Sequence, residues 1–235
     1  MKLHRYEPCK KALCILDMPS INHKELFKDL NTEENFYISC IKDKAFKAKF
    51  FKCEIASISF VLALLAKFAC DDFSHFDEGF LSAESCVGEE EISEILAFLK
   101  EAEFIVFDEN LKHHQDYENI KFFLSFLARK FDLKLTCSNQ KEDELKPCEF
   151  KGLQDLQNYD GLVVFKALLD DGFLHCSRQF LTLCKLNDKD EICINFEGKS
   201  INTKIILDEN LQGTIAFLNF KDEGFAFKKV SVKRL

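Results

Sequence analysis

Four consecutive apolar residues, Phe104-Ile-Val-Phe107, stand between Glu103 and Asp108, and they constrain the fold more than any other stretch. A strand with one wet face alternates apolar and polar side chains. A strand with no polar position is covered on both faces, as in parallel sheets wrapped by helices. The flanks agree. Ile92, Ile95, Leu96 and Leu99 fall at i, i+3, i+4 and i+7 of a helix spanning about 89–101. Ile120, Phe123, Leu124, Leu127 and Phe131 share one side of a second helix from Tyr117 to Phe131, and Leu133-Lys-Leu-Thr-Cys137 alternates as a strand. Nearer the N-terminus, Ala12 to Asp17 reads as a strand stopped by Pro19, His23 to Leu30 as a helix, and Asn35 to Cys40 as a strand. Lys42 to Lys52 reads as a charged connection, 54–70 as a buried helix, and the stretch after it as an acidic loop. The spacing predicts an α/β fold, an open parallel sheet flanked by helices.

No strand in this part is followed by GxGxxG or GxxxxGK[ST], so the sheet has a nucleotide-binding outline without phosphate-binding loops. A boundary is expected around Asn139 to Gly152, where polar residues, Pro147 and Gly152 cluster. This gives a Rossmann-like domain over 1–150 and a second domain over 151–235. In the second, Leu162-Val-Val-Phe165, the alternation of Ile192, Ile194 and Phe196, and Ile201, Thr203 and Ile205 beyond the turn at Gly198 read as short strands. Thr214 to Leu218 and Phe225 to Val232 continue the pattern, with a helix expected within Phe173 to Leu186. Strands at this spacing predict a small β-barrel.

Composition narrows the functional classes. Eleven cysteines without a CxxC pair fit buried thiols in a reducing compartment, and neither zinc nor iron–sulfur spacing can be drawn through them. Lysine outnumbers arginine 28 to 4, Phe reaches 26 and Trp is absent, the bias of an AT-rich genome rather than a base-stacking surface. Residues 71–118 carry 15 acids against Lys100 and Lys112, and the whole chain is at −8. Such a belt repels nucleic acid and anionic membrane and suits a basic protein surface or a solvated face. The longest apolar stretch, Ile55 to Cys70, falls short of the ~20 residues that span a bilayer, and Met1 to Asp17 lacks a signal-peptide core. The expectation is a cytoplasmic protein with no nucleic-acid partner and no direct membrane insertion.

Leu81-Ser-Ala-Glu-Ser-Cys-Val-Gly-Glu-Glu-Glu91 joins a glycine to three acids at a helix start. Ser82 or Ser85 can cap free amides, Gly88 can take unusual backbone angles, and Glu89, Glu90 and Glu91 lie where the helix dipole favours negative charge. A helix end filled with its own carboxylates is a poor phosphate site.

This run, with Ala102 to Glu109 as the following strand and loop and Leu186 to Leu211 as the opening of a barrel, resembles the C-terminal portion of the large iron–sulfur subunit of bacterial NADH-quinone oxidoreductase, respiratory complex I. That subunit descends from molybdopterin oxidoreductases, whose similar run usually has Asn where this chain has Cys86. The resemblance covers about residues 60–235 and implies a barrel of molybdopterin-dinucleotide-binding type. The family's N-terminal cluster-binding region has no counterpart here, and no residue matches a molybdenum ligand. What it implies is a shortened, non-catalytic accessory subunit with no cofactor of its own, peripherally associated with the inner membrane through other subunits of a complex I-type enzyme. The implied motif roles are structural: Glu84 through hydrogen bonds in the preceding loop, Gly88 by backbone geometry, and Glu89, Glu90 and Glu91 at the helix start or a partner surface.

Other candidates are weaker. His113-His114 with His75 lacks metal-ligand spacing. His175 and Cys176 are neighbours on an extended chain and face opposite ways. Asp71-Asp72 and Asp170-Asp171 read as turn residues. Two further readings stay open: a flavin- or nucleotide-binding oxidoreductase using the crevice at the strand ends, and an acidic assembly module.

Overall fold

In a computed structural model that describes residues 1–235, the chain divides into two units, Met1–Leu156 and Gln157–Leu235. The first holds strands β1 (Ala12–Ile15), β2 (Phe36–Ser39), β3 (Lys49–Lys52), β4 (Phe104–Phe107) and β5 (Lys134–Cys137). They form one sheet in the order β3-β2-β1-β4-β5, every neighbouring pair parallel. All eight residues of β1 and β4 are buried, as two-sided covering requires.

The two faces carry separate clusters. Leu13, Ile15, Ile105 and Phe107 pack with helices α3 (Ile58–Ala69), α5 (Glu89–Leu99) and α6 (Tyr117–Lys130). Ala12, Cys14, Phe104 and Val106 pack instead with Leu26 and Leu30 of α2 (Lys24–Leu30), which follows the short α1 (Pro19–Asn22). Every residue of α3 from Ile58 to Ala66 is buried, so it is a core helix rather than an amphipathic one. Phe123 of α6 is fully buried among the rings of Phe73, Phe76, Phe122 and Phe150.

Two expectations are corrected here. The stretch read as an acidic loop contains a 3-10 turn at Asp71–Phe73 and helix α4 (Glu78–Ser85). The helix was hidden because Gly79, Ser82 and Ser85 are weak helix formers. It is held by the Asp77 side chain, which accepts from Phe80 N at 3.0 Å, and by Leu81, buried in the core beside α3. The charged connection Lys42–Lys52 ends in β3, an edge strand whose Phe51 is buried while Lys49 and Lys52 remain exposed, a pattern that blunts edge-to-edge pairing.

The second unit is a curled, mixed seven-stranded sheet, a half-barrel. Its strands are β6 (Val163–Lys166), β7 (Leu174–Cys176), β8 (Glu191–Phe196), β9 (Lys199–Leu207), β10 (Ile215–Leu218), β11 (Phe227–Lys229) and β12 (Ser231–Arg234), ordered β11-β6-β10-β7-β9-β8-β12. Glu197 and Gly198, both at positive φ, close the β8–β9 hairpin as a two-residue turn. Helix α7 (Arg178–Cys184) starts at Ser177, whose Oγ accepts from Phe180 N at 3.1 Å and donates to Gly213 O at 2.6 Å. Its Phe180 and Leu181 enter the core with Ile192, Ile194 and Ile205.

The expected small β-barrel is met in part, as a sheet curled into a half-barrel. Its two end strands follow one another with only Val230 between them, β11 pairing with β6 and β12 with β8. No helix is long and apolar enough to cross a membrane. Replacing Phe123 with Ala is expected to lower the stability of the first unit by about 3–5 kcal/mol, read as a fall in urea midpoint at unchanged slope.

Candidate functional site

The chain leaves β1 toward the α2 face and β4 toward the α6 face, so the connections diverge and a crevice is expected at the carboxyl ends of these two strands. Asp17 and Asp108 follow β1 and β4 at this switch point. Ser39 ends β2 beside them, and His23 reaches in from between α1 and α2.

The polar groups there form two hydrogen-bonded sets that feel each other's charge. His23 Nε2 lies 2.9 Å from Asp108 Oδ2, and the other Asp108 oxygen accepts from Asn110 N at 2.8 Å. Ser39 Oγ donates to Asp17 Oδ1, and Cys40 Sγ lies 3.9 Å from the same oxygen. Burial pushes the Asp17 carboxyl up to about 6; the Ser39 hydrogen bond opposes this and the charge of Asp108 adds to it. Burial pulls His23 down, but the hydrogen bond and charge of Asp108, helped by Asp17, outweigh it and raise the imidazole above its ordinary value. The arrangement can hold a proton on Asp17 or His23 as neutrality is approached from the acid side. It cannot cradle a phosphate, because Asp17 sets a carboxylate where a glycine-rich loop would present amides. Met18, in the left-handed region at φ 49°, and Pro19 at the first turn of α1 fix that corner.

Both raised groups act in one direction. Asp17 contributes stability that is fully present below its unfolded value near 4 and is lost as pH rises through about 6. His23 contributes stability present below about 6.5 and lost as pH rises through its higher folded value. Asp222 of the second unit, held well below the carboxylate range by Lys199 and Lys228, keeps its charge across this window. Asp17 is therefore expected to cost the first unit up to about 3 kcal/mol as pH rises from about 4 through 6, whereas above that window His23 and the burial-lowered His114 act in opposite senses. Asp17→Asn is expected to flatten that slope in urea unfolding followed against pH.

The acidic motif lies elsewhere. Glu89, Glu90 and Glu91 begin α5, and Gly88 N donates to Glu91 Oε2 at 2.6 Å, the backbone half of a capping box. Glu89 and Glu90 are exposed, and the half-buried Glu84 sits in the last turn of α4, not in a loop. Ser82 Oγ donates to Val87 O at 2.8 Å. Gly88 does not use glycine's freedom: its φ of −90° is ordinary, and the left-handed residue is Cys86, at φ 58°. An αL position favours Gly or Asn, so Cys86→Gly or Cys86→Asn is expected to stabilise the chain by about 0.5–1 kcal/mol, visible as a higher urea midpoint.

His114, in contrast, is committed to the backbone. Its Nε2 lies 2.8 Å from Ala56 O, its Nδ1 accepts from Asp116 N at 3.0 Å, and burial lowers its pKa. His75 is exposed, and no group of three metal-binding side chains gathers around these histidines. His175 pairs with Asp171 at 3.0 Å while Cys176 is buried, its thiol pushed up to about 12 by burial.

Sequence reasoning passed over Asp17, His23 and Asp108. The available signal was an aspartate within two residues of the end of each of the two most apolar strands, where parallel topology tends to place functional groups. What the fold and site define is a class: a doubly wound α/β unit with an acid–histidine switch point, joined in sequence to a curled β unit. The chain matches no family model, and no curated protein matches it.

Proposed function

We propose that this protein is an accessory, non-catalytic subunit of an NADH- or flavodoxin-linked quinone oxidoreductase of complex I type, supporting assembly or electron entry on the peripheral arm. In this reading the half-barrel is a shortened relative of the molybdopterin-dinucleotide-binding barrel, and the protein is held at the inner membrane by its partner subunits. The observation that carries it is the Asp17–His23–Asp108 cluster. A fold of nucleotide-binding outline has its switch point occupied by its own ionisable side chains. Such a switch point leaves no room for the phosphates of a dinucleotide, which fits a subunit without a nucleotide cofactor of its own.

The surface offered to partners is the acidic corner around α4 and α5. Glu89 and Glu90 are exposed there, as are Asp71, Asp72 and Asp77, and Phe80 stands half out of the surface. Complementary charge across such an interface guides association and makes it sensitive to salt.

Affinity purification of the tagged protein from its native host tests the reading. The expected result is recovery with other quinone-oxidoreductase subunits, without a chromophore attributable to this chain. In the same assay Glu89→Gln/Glu90→Gln is expected to reduce partner recovery while costing no more than about 1 kcal/mol of stability, the loss of two charges at the helix start. A lone yellow protein, or normal assembly of the complex in a deletion strain, would overturn it.

A further inference from the structure

A cavity of about 290 Å³ opens over the carboxyl ends of β4 and β5, one strand away from the acid–histidine cluster. Its floor is apolar: Leu3, Phe107, Cys137 and Leu145 are all buried and all line it. Tyr117, in the first turn of α6, forms a wall. The opposite wall is the segment 141–146, which the N-terminus holds in place. Leu3 N donates to Asp143 O at 2.7 Å, Leu145 N to Met1 O at 2.8 Å, and the terminal amine to Leu145 O at 2.6 Å. The cavity is therefore built by the fold, not left by a loose loop.

Its charge runs against that of the chain. Lys112, Lys121, Lys141 and Lys146 line it, in a protein whose net charge is −8. Three acids line it as well, leaving a local excess of one positive charge, and of these only Glu109 is paired with a lysine. Glu109 Oε1 accepts from Lys112 at 3.0 Å, Asp143 Oδ1 accepts from Glu144 N at 2.8 Å, and Glu144 lies 3.9 Å from the terminal amine. Lys121 lies along the wall, its Nζ 5.2 Å from the Tyr117 ring centroid and 2.8 Å from Glu118. Lys141 and Lys146 stand exposed, and neither is in an ion pair. An apolar floor under a few convergent polar groups, at the strand ends of a parallel sheet, is the usual make-up of a small-molecule site.

We infer that this cavity binds a small organic anion with an apolar body, its ring or alkyl part on Phe107, Cys137 and Leu145 and its charge among the lysines. The volume is near the lower end for ligand sites, which suits one ring and one anionic group rather than a nucleotide. The inference does not rest on the subunit reading and survives if that reading fails.

Calorimetric titration of the full-length protein with phenyl phosphate and with benzoate tests it, with inorganic phosphate and phenol as arms for charge alone and apolar body alone. The expected result is saturable binding of at least one aromatic anion, one per chain, with both control arms weaker by about tenfold or more. The chain has four tyrosines, so fluorotyrosine labelling gives four resonances, and Tyr117→Phe assigns the one beside the cavity. That resonance is expected to shift with ligand. Lys112→Ala/Lys141→Ala, both at exposed positions, is expected to weaken binding about tenfold while the far-ultraviolet spectrum stays unchanged. Absence of saturable binding by either anion would overturn the inference. So would binding that leaves the Tyr117 resonance unmoved or is indifferent to the double substitution.

Discussion

The rest of the first unit depends on the two-sided burial of β1 and β4. A central strand with no exposed side chain must have a helical layer on each face, and here the layers are α2 on one side and α3, α5 and α6 on the other. Since consecutive connections leave these neighbouring strands toward opposite faces, their ends are brought together with no backbone between them. Asp17 and Asp108, 91 positions apart in the chain, become neighbours for that reason and no other.

Two carboxylates brought together in a half-buried corner destabilise each other unless something offsets the charge. His23 offsets one through its bond to Asp108, and Ser39 satisfies an oxygen of the other. Burial above all, with the charge of Asp108 added to it, leaves the Asp17 pKa raised. The corner thus trades stability near neutrality for a pair of titratable groups, a local cost of the kind concentrated at working sites. One strand further along, the same topology produces a different chemistry: the ends of β4 and β5 open on an apolar floor with a lysine rim.

The second unit meets its constraints by other means. Its curled sheet mixes parallel and antiparallel pairs, with β11 and β12 at its two ends. Lys228 is nearly buried, yet its charge is matched by Glu197 and Asp222, each 2.9 Å away. Breaking such a set from one side leaves an uncompensated charge, which is the reason buried ion groups tend to persist together. Gly224 belongs to the same construction: a Cβ there would stand 2.5 Å from the Lys228 ammonium.

Much of the framework was legible in the residues themselves. The apolar run Phe104–Phe107 and the helical periodicities of 92–99 and 120–127 are local patterns, and local patterns report which face of an element is covered. Hence the parallel sheet, most element positions and the turn at Gly198 could be read directly. Helix α4 and strand β3 could not, since each owes its stability to packing partners distant in sequence rather than to its own propensity. Nor could the special residue of the acidic motif: composition pointed to Gly88, whereas tertiary packing put the left-handed angle on Cys86. The sequence alone determined that the strand Phe104–Phe107 is buried on both sides, because that follows from the absence of any polar position within it. Only the tertiary structure decided that Asp17, His23 and Asp108 meet and that four lysines rim one cavity, because strand order and the direction of each crossover are set by long-range packing that no local pattern encodes.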